Sequence, residues 1–381
     1  MALEHNSSTH PLLPPTTEDQ RFDWLRLLRS RRVGISTFYR LMGEHGLAAT
    51  ALEHLPEIAQ AAGVEGYEIC PEPVIHNELK AAKAAGAVLI CRGDSNYPKA
   101  LLDLEDAPPL LWAIGDTGIL NRPQIALVGA RNASSLGGRM ARALSAGLAE
   151  AGFVITSGMA RGVDTVAHLA ALETGTVAVL GGGVDILYPT ENTKLGEDIV
   201  AKGGARISEQ AMGLQPQARH FPARNRIISG LSQAVVVVEA AARSGSLITA
   251  RTALDQGREV MAVPGHPFDA RASGCNMLLR DGAQLVRNAD DVVEALAPMA
   301  EEAHTTSPEL PLASPPPPRS LAETAKLHQS ILDRLGPSPI GEDQLIRDLG
   351  ASSKIVSPAL TELELDGRIN RQSGGLISRV S

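Results

Sequence analysis

Cysteine is nearly missing from this sequence: three in 381 residues, at Cys70, Cys91 and Cys275. Three widely spaced thiols make neither a disulfide framework nor a four-ligand metal site. Aromatic residues are only 3% of the chain, so few positions can offer a stacking surface. No apolar run approaches the ~18 residues that span a bilayer; the greasiest stretch, 234–238, stops at Glu239. The N-terminus lacks the basic segment and apolar core of an export signal, and a cytoplasmic protein is expected. A positive excess is lacking too: 35 Lys and Arg stand against 43 Asp and Glu, a net charge of −8. Taken globally, that argues against a nucleic-acid binder.

What is present is 44% hydrophobic and 20% charged, enough for a globular core and inconsistent with a wholly disordered chain. The charge is unevenly spread. Between 201 and 232, Lys202, Arg206, Arg219, Arg224 and Arg226 face Glu209 alone. Charges more than about 8–10 Å apart are largely screened, so such a window can hold an anion inside an acidic protein.

The pattern divides the chain into a polar tail at 1–19, a small helical module at 20–72, a larger domain at 75–298, a linker at 299–322 and a last module at 323–381. Short helices punctuated by glycine suggest a helix-hairpin-helix or sterile-alpha-motif-like first module. The middle alternates apolar strands, at 88–90, 125–128, 154–156, 177–180, 206–208, 235–238 and 260–263, with Ala-rich helical segments. Continuously apolar strands separated by helices predict a Rossmann-like, doubly wound, mostly parallel α/β sheet. Six prolines within 305–320 mark an extended linker. Three helices (324–335, 342–349, 354–366) and a hairpin around Gly367 and Gly374-Gly375 then read as a winged-helix module.

In a parallel α/β sheet, ligands bind beyond the carboxyl ends of the strands. Those exits read Gly129-Ala130-Arg131, Ser157-Gly158-Met159-Ala160-Arg161-Gly162, Gly181-Gly182-Gly183, Glu209 running on to Phe221-Pro222-Ala223-Arg224-Asn225-Arg226, Ser244-Gly245-Ser246, and Pro264-Gly265-His266. Small residues bare backbone N–H groups, and Arg, Ser and Asn add side-chain donors, the chemistry that a phosphate oxygen requires. A dinucleotide fingerprint needs Gly-x-Gly-x-x-Gly and an acid about 20 residues on. Neither stands here, nor does a Walker P-loop, so no cofactor is expected.

These blocks carry a resemblance. With Asp164, Ala167-His168, Tyr188-Pro189, Ser208-Glu209, Val238-Glu239 and Gly257-Arg258-Glu259-Val260, they stand in the order found in the DNA-processing protein A (DprA/Smf) family. The chain resembles that family over roughly 75–298. The resemblance implies a homodimeric, non-enzymatic mediator that binds and protects single-stranded DNA and loads the RecA recombinase during natural transformation. The DNA site it implies comprises Arg131, Ser157, Gly158, Arg161, Arg224, Asn225 and Arg226; the strand exits add Gly129, Ser244, Gly245 and Ser246, and Phe221 stands near the rim as a base-stacking surface or a brace for its loop. Ala130 departs from the hydroxyl residue common there, which leaves that position only its backbone N–H to offer.

Other readings of the same residues stay open. Arg224 and Arg226 can instead form an ion network with Glu239 and Glu209, Asp164 can cap a helix or hold Arg161, and His168 can face the core. The fold also resembles nucleotide phosphoribohydrolases of the lysine-decarboxylase-like type, but Thr249 stands where their catalytic Glu belongs, and a threonine is no general acid–base group at neutral pH. The winged helix could be the DNA reader, although its third helix carries Lys354 against Glu362, Glu364 and Asp366, with Arg368, Arg371 and Arg379 in the wing.

Overall fold

The computed structural model describes residues 12–304, 321–336, 339–352, 356–357, 359–360, 363–364, 368–372 and 376–379. Residues 1–11 of the expected tail, the proline-rich 305–320, and Lys354, Glu362, Asp366, Gly367 and Gly374-Gly375 lie outside these. The chain divides into two compact units, Met1–Glu302 and Ala303–Ser381.

The first unit begins with four helices, α1 (Glu18–Arg29), α2 (Ile35–His45), α3 (Ala48–Ala61) and α4 (Glu72–Ala84). Helix α1 starts inside the expected tail because Thr17 and Gln20 form a reciprocal capping box, which satisfies two of the amides a helix start leaves free. Trp24, Phe38, Leu41 and Leu52 make the core of this module.

Strands β1 (Val88–Cys91) and β2 (Leu110–Gly115) follow, antiparallel to each other. The chain then runs β3 (Gln124–Val128), α5 (Ser135–Glu150), β4 (Val154–Ser157), α6 (Val163–Ala170), β5 (Thr176–Val179), α7 (Thr193–Ala201), β6 (Ala205–Ser208) and α8 (His220–Leu231). It continues with β7 (Ala234–Val237), α9 (Ser246–Asp255), β8 (Glu259–Ala262), α10 (Ser273–Arg280), β9 (Gln284–Leu285) and α11 (Ala289–His304). The nine strands form one sheet in the order β1-β2-β6-β5-β4-β3-β7-β8-β9. From β6 to β9 every pairing is parallel, while β2 joins β6 antiparallel. This is the expected doubly wound sheet, extended by two antiparallel strands at one edge.

Alternation along the strands covers both faces. Ile125, Leu127, Val236 and Met261 pack beneath α5, α6 and α11, through Leu144, Val163 and Val292. Ala126, Val128, Val235 and Val260 face the other way, onto Ile227, Ile228 and Leu231 of α8 and Ala250 and Ala253 of α9. Each large apolar side chain buried here contributes about 1.5–3 kcal/mol. Parallel strands packed on both faces leave one rim open, the carboxyl ends of β3 to β8, and the loops gather there.

Several elements depart from the sequence reading: α4 and β9 have no counterpart in it, and α11 runs to His304, inside the expected 299–322 linker. Strand β2, Leu110–Gly115, is also unforeseen, because no α-helix separates it from β3 and the alternation that marks the parallel strands is missing there. Residues 220–226, read as a loop, open helix α8. Pro222 is tolerated there because first-turn amides have no partner within a helix.

The second unit contains α12 (Leu321–Arg334), β10 (Ile340–Gly341), α13 (Glu342–Leu349), β11 (Ile369–Gln372) and β12 (Leu376–Arg379). The three strands pair in the order β10-β12-β11 around a core that includes Ile331, Leu345 and Ile377. Among the described residues, no helix is long and apolar enough to cross a membrane.

Candidate functional site

The loops after β3 and β4 are built against each other. Gly162, at φ 80°, closes the second loop, and a Cβ there would overlap the carbonyl oxygen of Ala130. Val163 donates its amide to that oxygen at 3.2 Å. Asp164, buried in the first turn of α6, accepts the amides of Gly158 at 3.1 Å and Ala160 at 3.3 Å. The loop thus folds back over its own carboxylate, whose pKa burial pushes up.

Beneath this loop lies Arg224 of α8, only 5% exposed. Its Nη1 donates to the Val179 carbonyl at 2.7 Å, and Asp164 is the carboxylate that acts on it. Its Nε has no partner. Burial pushes its pKa down to about 10, so it remains a cation at neutral pH. Gly158 makes the arrangement possible: a Cβ there would overlap the Arg224 guanidinium.

Above Arg224 sits the half-buried ring of Phe221. The guanidinium carbons of Arg131 and Arg224 stand 5.3 and 5.9 Å from its centroid, and the Tyr188 ring is 6.0 Å away. Such a cation–ring contact contributes about 0.5–1 kcal/mol at an exposed site, enough to bias where Arg131 rests. The facing wall is the start of α9, whose first turn has no acidic residue and whose N-cap Gly245 has no capping side chain. The Ser244 and Ser246 hydroxyls lie 2.7 Å apart beside it. A helix start carries roughly half a positive charge on its free amides.

Together these walls enclose an open cleft of about 710 Å³. Arg131, Arg224, Arg243 and Arg271 line it, and Asp164 is the one lining carboxylate. Glu239 stands close behind, but it accepts the Ser134 amide and hydroxyl at the cap of α5. The arrangement offers cations and amides to an anion, with an aromatic ring on one wall.

Of the residues singled out from sequence, the cleft unites Gly129, Arg131, Phe221, Arg224, Asn225, Ser244, Gly245 and Ser246. Four others lie elsewhere. Ser157 is buried and spends its hydroxyl on the Leu127 carbonyl at 2.6 Å. Gly158 gives its amide to Asp164. Arg161 is exposed outside the cleft, 3.6 Å from Glu191. Arg226 points away, to the Glu209 carboxylate and the Asp106 carbonyl. The reason is helical geometry: two residues at 100° each place Arg224 and Arg226 on opposite faces of α8. The ion-network alternative therefore holds for Arg226 with Glu209, while Glu239 takes no arginine.

Arg243 and Arg271 were missed. Both belong to strand exits already recognised, one immediately before Ser244-Gly245-Ser246 and the other in the β8–α10 loop. His168 is wholly buried, 2.8 Å from the Thr176 hydroxyl, with its pKa pushed by burial down to about 3. It is neutral core, as one reading had it. Thr249 lines the cleft and brings no carboxylate to it. In the second unit, Arg371 lies between two carboxylates, Glu342 at 3.4 Å and Glu364 at 3.7 Å, whereas Arg271 in the cleft has one beside it, Asp269 at 3.6 Å.

Comparison with known proteins fits these features. Residues 88–297 match the family described as DNA recombination-mediator protein A. Residues 18–81 match the DprA-like N-terminal HHH domain, and 315–375 the DprA winged helix domain. The chain is 40% identical over 289 residues to Protein Smf of Escherichia coli, covering 74% of each. It is 45% identical over 202 residues to DNA processing protein DprA of Streptococcus pneumoniae, covering 52% of this chain and 71% of that one. The solved structure of the Streptococcus pneumoniae protein superimposes with a TM-score of 0.55 at 34% identity, over 73% of this chain and 93% of the other. DNA processing protein A from Helicobacter pylori, solved to explain its single-stranded DNA binding mode, gives 0.51 at 32% identity, over 56% and 96%.

Proposed function

The chain belongs to the DNA recombination-mediator protein A (DprA/Smf) family, and from that premise we propose that it binds single-stranded DNA in the arginine-lined cleft. The observation that carries the reading is the buried Arg224 cation in a cleft rimmed by Arg131, Arg243 and Arg271. A guanidinium held in a low-dielectric floor acts on a phosphate more strongly than one in water, and exposed arginines around it guide a flexible backbone in. Phe221 gives a base a sequence-tolerant face to stack on.

We infer the rest with that membership as support. The protein is a mediator without chemical turnover, works as a homodimer in the cytoplasm, protects incoming strands during transformation, and passes them to the RecA recombinase. Its helical and winged-helix modules assist the sheet domain rather than replace it, since the wing's Arg371 already lies between two carboxylates. Fluorescence anisotropy with a labelled oligo-dT and with a mixed-sequence duplex of equal length tests the reading. The single strand is expected to bind more tightly; equal or tighter duplex binding would count against it.

A further inference from the structure

Eleven aromatic side chains are available to this protein, and two are exposed: Tyr188 at 50% and Phe268 at 95%. An exposed phenylalanine forgoes the burial that makes aromatics useful in a core. Phe268 nevertheless sits in an ordered turn. Its amide donates to His266 Nδ1 at 3.2 Å, Asp269 donates its amide to the His266 carbonyl at 2.9 Å, and Arg271 donates its amide to the Asp269 carboxylate at 2.9 Å. Three residues after Phe268, Arg271 lines the cleft.

Sheet order places the two aromatic stations on opposite flanks. Tyr188 follows β5 and its neighbour Phe221 opens α8 after β6, whereas Phe268 follows β8. Between β5 and β8 lie β4, β3 and β7, so the exits are four strand spacings apart, about 19 Å. The arginines occupy that interval.

We propose that Phe268 is a second base-stacking platform, which receives a nucleobase as the single strand leaves the cleft past Arg271. The proposal rests on the single-strand reading above. A strand held this way has its phosphates on the arginines and its bases against a ring at either end, so Phe268 adds affinity without adding to the salt dependence.

The test uses the full chain with Phe268→Ala and Phe268→Trp, neither of which disturbs a packed core. Trp24 and Trp112 are 3% and 1% exposed, so a tryptophan at 268 is the accessible reporter. Phe268→Ala is expected to weaken oligo-dT binding on the order of ten- to a hundredfold with an unchanged salt slope. Phe268→Trp is expected to bind like the native protein, and its added emission to be quenched by oligo-dT but not by an abasic strand of the same length. Native-like oligo-dT affinity in Phe268→Ala, or emission at 268 unmoved at saturation, overturns the proposal while leaving the cleft intact. So does a change of sedimentation in Phe268→Ala, which would make the residue a protein contact. If the native protein ignores oligo-dT, the cleft reading fails and this proposal fails with it.

Discussion

Replacing Arg226 with alanine is expected to lower the free energy of unfolding by about 3–5 kcal/mol, the cost of leaving a buried carboxylate without its partner. That carboxylate is Glu209, whose side chain is only 12% exposed beside Arg226, with Asp106 contributing its backbone carbonyl at 2.5 Å and a carboxylate at 3.6 Å. Burial pushes the Glu209 pKa up, and Arg226 is the largest influence holding it down. Without the arginine, Glu209 rises further above its unfolded-state value. A carboxyl raised in the folded state favours folding below its unfolded pKa, and that contribution is lost as pH rises through the folded pKa. The deficit of Arg226→Ala should therefore be largest at neutral pH and shrink as acid protonates Glu209. Urea unfolding at pH 7 and pH 5 measures both; a deficit under 1 kcal/mol, or one that grows in acid, would contradict the assignment.

Reversing the charge at Arg131 should leave stability nearly unchanged and damage binding. The side chain is exposed, rests over Phe221, and has no carboxylate partner among the described residues. Surface substitutions of this kind usually shift stability by less than about 0.5 kcal/mol. A hydrogen bond to a charged group contributes about 1.5–3 kcal/mol, so Arg131→Glu is expected to weaken oligo-dT binding at least tenfold at low salt. The slope of log affinity against log salt should also become shallower by about 0.7, one phosphate's share on a single strand. Anisotropy together with thermal melting separates the two effects. Undiminished binding would place the DNA elsewhere, and a collapsed melting temperature would make Arg131 structural.

The contrast between these two arginines shows where sequence reading ran out. Strands β3, β4, β7 and β8 announce themselves as short apolar runs, closed by small residues or, after β7, by Glu239, and their exits mark the rim of the sheet. Residues 220–226 were read as a loop because Pro222 and four polar side chains mask a helical period. Once they are helical, Arg224 and Arg226 must diverge, one into the cleft and the other into an ion pair. A linear motif treats the two alike. Ser157 misleads in a similar way: its place after β4 is right for a ligand, yet its side chain alternates into the sheet, where it satisfies Leu127. Arg243 and Arg271 converge on the cleft from separate loops, and spacing along the chain does not reveal such convergence. Strand β2 escaped notice because no α-helix follows it, so it falls outside the alternation that marks the parallel strands.

On the reading proposed above, the rim of this acidic protein holds a nucleic-acid backbone through a few arginines. A salt titration of native protein with oligo-dT tests it most directly. With three or four of Arg131, Arg224, Arg243 and Arg271 on phosphates, log affinity should fall linearly with log salt at a slope of about −2 to −3. A flat line across the same range would mean that no phosphate is held there.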